Sequence, residues 1–122
     1  MWLFTKHGFF SVVCARQGDG KHGQPIDINR LMVRARVRGQ IEALKKRWPE
    51  YLGLCEIRTF AGTDYAFRMF VDKHAWSRVL SELALETDYG NFKSEVERYQ
   101  GVGSPYGQAL HAVWDVMYHL QQ

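Results

Sequence analysis

The 122-residue chain is 46% apolar and 14% aromatic with a net charge of +3, a balance that excludes a disordered segment and is enough for one packed core without metal or disulfide staples. No apolar run approaches the length of a membrane span, and Met1-Trp2-Leu3-Phe4 lacks the charged-then-apolar order of a secretion signal, so a cytoplasmic address without a membrane partner is expected. The charge is local. Arg30, Arg34, Arg36, Arg38, Lys45, Lys46 and Arg47 place seven of the sixteen basic residues within positions 30–47, whereas Asp72, Glu82, Glu86, Asp88, Glu95 and Glu97 gather between 72 and 97.

Residues 2–5 and 9–15 are rich in aromatic and β-branched side chains around Lys6-His7-Gly8, the pattern of a hairpin. Cys14 here, and Cys55 later, sit among aliphatic neighbours and read as buried thiols. Residues 16–30 carry Gly18, Gly20, Gly23, Pro25, Asp27 and Asn29 with few apolar anchors, and predict a long mobile loop. Residues 31–38 alternate strictly, which predicts a strand with Leu31, Val33, Ala35 and Val37 on a core face and Met32, Arg34, Arg36 and Arg38 on a wet one.

Ile41, Leu44 and Trp48 recur at helical spacing over 39–48, where Pro49 stops the pattern. Residues 54–60 and 65–71 flank Ala61-Gly62-Thr63-Asp64 as a second hairpin. Asp72 then caps a helix carrying the stripe Trp76, Val79, Leu80 and Leu83, ending near Thr87. Asn91 caps a short helix that Gly101 and Gly103 break, and Ser104-Pro105 opens a last helix running to about Leu120. The order β, β, loop, β, α, β, β, α, α, α predicts a single α+β domain over 1–122, with a mostly antiparallel five-stranded sheet, helices mainly on one face and a ferredoxin-like arrangement.

The segments Met1-Trp2-Leu3-Phe4-Thr5, Gly8-Phe9, Ser11-Val12-Val13, Val33-Arg34-Ala35-Arg36-Val37, Thr63-Asp64-Tyr65 with Arg68, Asp88-Tyr89-Gly90-Asn91-Phe92-Lys93-Ser94 and Val113-Trp114 together resemble a family of small uncharacterised bacterial proteins. The resemblance spans nearly the whole chain. It implies a bacterial or phage origin and one domain, with the 16–30 loop enlarged, and it carries no activity or site residue across.

Function therefore rests on the residues. Arg34, Arg36 and Arg38 would project from one strand face at a repeat of about 6.6–7 Å, close to phosphate spacing. Arg58 and Arg68, each alternating with a phenylalanine, would join them if the second hairpin lies in the same sheet. The plainer expectation pairs these arginines with Glu56, Asp64 or Asp72, and +3 is a small excess for a dedicated nucleic-acid binder, although a small anion needs less. The leading reading is a non-enzymatic module that contacts a phosphate-bearing ligand, nucleic acid or nucleotide, through Arg34, Arg36, Arg38, Arg58, Arg68, Tyr65 and Lys93, without a cofactor.

Two competitors stand beside it. The aromatic hairpin, Trp114 and Tyr118 suit a homodimer or a protein-interaction module such as a phage inhibitor of a host enzyme. Asp64, Tyr65, Arg68, Tyr89 and Lys93 would form a small enzyme's pocket if their segments met. His111, Asp115 and His119 share a helix side, but three residues spread over about 12 Å cannot share one ion, so a solvated face is expected instead of a metal site.

Overall fold

A computed structural model describes residues 1–121. Strands β1 (Trp2–Thr5), β2 (Gly8–Arg16) and β3 (Ile26–Ala35) form an antiparallel meander. Helices α1 (Arg38–Arg47) and α2 (Pro49–Leu52) follow, then strands β4 (Arg58–Thr59) and β5 (Phe67–Asp72), and then α3 (Lys73–Leu85), α4 (Phe92–Gln100) and α5 (Pro105–Tyr118). The sheet order is β1-β2-β3-β5-β4 with every neighbouring pair antiparallel. Because β5 runs against both β3 and β4, those two are parallel and joined through α1 and α2. This is an α+β domain with a five-stranded antiparallel sheet.

Period-two alternation gives the sheet two distinct faces. One carries Phe10, Val12, Val33, Ala35, Met69 and Val71, all buried against Ile41, Leu44 and Trp48 of the α1 region and Trp76 and Val79 of α3. Each such fully buried large side chain contributes about 1.5–3 kcal/mol. The caps follow the sequence: Asp72, Asn91 and Ser104 accept from the backbone N–H groups of His74, Ser94 and Gly107, each worth about 1 kcal/mol. Gly8 is required at the β1–β2 turn, since its φ is +151° and an added Cβ would lie 2.5 Å from the Gln40 side chain.

Several expectations need correction. The loop is shorter than predicted, because β2 runs on to Arg16 and β3 starts at Ile26. Asp27 and Asn29, read as turn residues, sit in an extension of the β2–β3 hairpin beyond a bulge at Cys14/Ala15, where Ile26 and Ile28 are exposed. The strand stops at Ala35, so Val37 is not core but the exposed residue before α1, and Arg38 is helical. Pro49 ends one helix and occupies the first turn of the next, where its missing N–H costs nothing. Of residues 54–60 only Arg58 and Thr59 pair as strand; the N–H of Cys55 closes a turn onto Leu52, and Leu54 is fully exposed. Cys14 and Cys55 are free and only half-buried, with burial pushing the Cys55 thiol above its ordinary pKa.

Candidate anion-binding face

The second face of the sheet is not covered by α1 or α3, and its residues fall in rows set by register. Trp2 stands opposite Ser11, Ser11 opposite Arg34, Arg34 opposite Arg68, and Arg68 opposite Arg58. One row thus crosses all five strands, with three arginines abreast on β3, β5 and β4. Neighbouring strands lie about 4.8 Å apart, so the backbones of these arginines are closer than the along-strand repeat would place them. The next row is Val13, Met32 and Phe70.

Aromatic rings hold the arginines in place. The Arg34 and Arg36 guanidinium carbons lie 4.5 and 4.3 Å from the centroid of Tyr65, which is buried and also packs against Phe9. Phe70 is likewise flanked by Arg30 at 4.4 Å and Arg58 at 5.5 Å, and Arg68 lies 4.7 Å from Phe60. Such cation–π contacts are worth about 0.5–1 kcal/mol each at exposed sites. They orient the guanidinium planes without neutralising them.

Carboxylates are scarce on this face. Among the described residues Arg34, Arg36 and Arg68 make no ion pair, and Arg58 meets only Glu56, at 3.8 Å. Arg36 donates from Nε to the Asp64 carbonyl and Arg68 from Nε to that of Tyr65, so backbone oxygens stand where carboxylates were expected. Arg34 donates from Nη2 to Ser11 Oγ at 2.6 Å, while its buried Nε has no partner. Burial first, and the Arg34 charge second, push the Arg68 pKa below its ordinary value. The face is therefore a cluster of guanidinium groups held by rings and backbone oxygens.

The remaining candidates lie elsewhere. Arg38 is on α1, its Nε 2.7 Å from Glu42 one turn on, and it does not join the face. Lys93 stands 4.8 Å from the ring centroid of Trp114, beside a cavity with Phe4, Asn91 and Phe92. Tyr89 lines another with Leu3 and Glu86, and none of the three main cavities also holds Tyr65 or Arg68. The pocket that the enzyme reading required is therefore not assembled there. No group of three His, Cys, Asp or Glu among the described residues could hold a metal ion, and no described helix is long and apolar enough to cross a membrane. No protein-family model, curated protein or solved structure matches the chain.

Sequence reasoning missed Trp2 and Ser11 as members of the central row and Arg30 as a partner of Phe70. The turn at Lys6-His7 implies the Trp2–Ser11 pairing, so part of that row was accessible. A larger omission is the cavity of about 650 Å³ beside the row, between the β1–β2 hairpin, the start of α1 and α5, with Phe9, Arg36, Tyr106 and Leu110 in its walls. Its lining comes from four separated segments, and no local pattern announces it.

Proposed function

We propose that the open sheet face is a binding surface for a phosphate-bearing ligand, nucleic acid or nucleotide, with Arg34, Arg36 and Arg68 at its centre and Arg58 at its edge. The observation that carries this reading is the Arg34–Arg68 pair, directly opposed in register and without an ion pair among the described residues. Like charges opposite each other destabilise a sheet, and a buried donor without a partner adds to that cost. A phosphate would relieve both, since it offers several oxygens to guanidinium forks. Phe70, Phe9 and Trp2 on the same face supply surfaces on which bases stack.

The sheet order supports a ferredoxin-like reading of the β2-β3-β5-β4 portion, in which parallel β3 and β4 flank β5 and α1 and α3 pack on one side. Open sheets of this kind serve RNA-binding modules, an analogy of fold alone. The test is titration of short single-stranded RNA and DNA by fluorescence anisotropy against the parent and an Arg34→Gln/Arg68→Gln variant. Binding that weakens at least tenfold in the variant and falls with salt supports the reading; equal binding, or none by the parent to any phosphate-bearing probe, ends it.

A second reading, self-association or capture of a protein, is favoured by α5. Trp114, Val116, Met117 and Tyr118 are each more than half exposed, as is Leu120 just beyond the helix. Of these, Trp114, Met117 and Tyr118 share one side of the helix and are of the aromatic and methionine types enriched at interfaces.

A further inference from the structure

The large cavity beside the arginine row has the composition of a small-molecule site. Its volume of about 650 Å³ lies in the range of about 300–1,000 Å³ that such sites occupy. Phe4 and Phe9, stacked on each other with centroids 4.6 Å apart, supply aromatic surface, and Leu110 and Val113 of α5 supply aliphatic surface. Arg36, free of any carboxylate, is in the lining and at the same time lies against Tyr65, so the cavity and the arginine face meet at one guanidinium.

A buried polar group in the lining also lacks a partner. His7 is 2% exposed, and its Nε2 lies 2.6 Å from Glu86 Oε1, a carboxylate that Arg47 holds in turn at 3.3 Å. Packed edge-on against Trp48 and Tyr99, the His7 ring forms part of the cavity wall, and its Nδ1 is buried without a partner. Gln40, also in the lining, accepts from the Phe9 N–H through Oε1, which turns its amide N–H groups into available donors. A planar apolar body with an acceptor on its edge, attached to an anion, matches this set.

We infer that the cavity receives the base of a nucleoside phosphate, free or at the end of a strand, whose phosphate lies on Arg36 and Arg34. The inference rests on the proposed binding face and adds the base-holding half of the site. Phe4 and Phe9 provide contact for the ring, and Gln40 donates to a ring nitrogen or carbonyl.

Calorimetric titration of the four nucleoside 5′-monophosphates against ribose 5-phosphate, which lacks only the base, tests it. At least one monophosphate should bind ten or more times tighter than ribose 5-phosphate. Ala109→Trp on α5 and Ala43→Leu on α1, two wall substitutions on different helices, should each erase that preference while leaving ribose 5-phosphate unchanged. A 5′-phosphorylated oligonucleotide that outcompetes its 5′-hydroxyl twin would name a strand end as the source, and free monophosphates binding better than either would name the nucleotide. Equal affinity for the monophosphates and ribose 5-phosphate, with oligonucleotides still bound through the arginines, overturns the base pocket and leaves the face reading standing. No binding of any of these probes overturns both.

Discussion

Arg34 on β3 and Arg68 on β5 are registered cross-strand partners, and among the described residues neither makes an ion pair, although the charges of Arg34 and Asp64 both act on Arg68. In a folded domain of marginal stability such a pair is a cost, because like charges directly opposite one another weaken a sheet. On the proposed binding reading that cost sets Arg34 and Arg68 apart from residues kept for folding, and the first prediction uses that difference.

Arg34→Met removes the charge and the partnerless buried Nε while retaining an unbranched side chain. Unfolding free energy from urea melts should stay level or rise by up to about 1 kcal/mol, the scale of a cross-strand pair, as binding of a phosphate-bearing probe falls tenfold or more. A loss of about 2 kcal/mol or more would instead make Arg34 a structural residue, with its bond to Ser11 as the reason.

Salt dependence counts the arginines. If Arg34, Arg36 and Arg68 each neutralise one phosphate of a single strand, log K should fall with log salt at a slope of roughly −2, and each Arg→Gln change should reduce that slope by about 0.7. Arg38→Gln is the control. Arg38 pairs with Glu42 on α1, so its loss should leave the slope alone and cost at most about 0.5 kcal/mol of stability.

Glu95 on α4 ties the last third of the chain to the β1–β2 turn. It is buried, bound twice by Arg98 and once by Lys6 at 3.3 Å. Hydrogen bonds from Arg98 lead in pulling its pKa below the ordinary carboxylate value, ahead of those from Lys6. A depressed folded-state pKa contributes stability that is complete above the unfolded-state value and disappears as the pH falls through the folded one. Glu95→Gln should therefore lower the melting temperature at pH 7 and flatten its decline in acid; an unchanged acid slope would assign that decline to other carboxylates.

The exposed α5 surface predicts self-association. Light scattering of the parent should give twice the chain mass at high micromolar concentration, and Trp114→Lys/Met117→Lys should return the monomer without loss of helicity. Both residues are exposed and outside the core, so the variant should fold. A monomeric parent would end the self-association form of this reading.

The sequence alone determined the type of most elements, the three helix caps, the inner face of Leu31, Val33 and Ala35, and the concentration of arginine around positions 30–47, but not helix α2 or the true extents of β3 and β4. Those features are encoded over one to four residues, by alternation, helical spacing and cap chemistry, and local physics is enough to read them. It placed the arginine row along one strand, through Arg34, Arg36 and Arg38. Tertiary structure turned that row across the sheet, by ending β3 at Ala35 and pairing Arg34 with Arg68 and Arg68 with Arg58. Register between strands far apart in the chain depends on which hydrophobic faces meet and on where helices interrupt, and a pattern confined to one strand does not contain it. The cavity between the hairpin, α1 and α5 likewise exists only once four distant segments have packed, because its shape is a property of their separation and of no segment by itself.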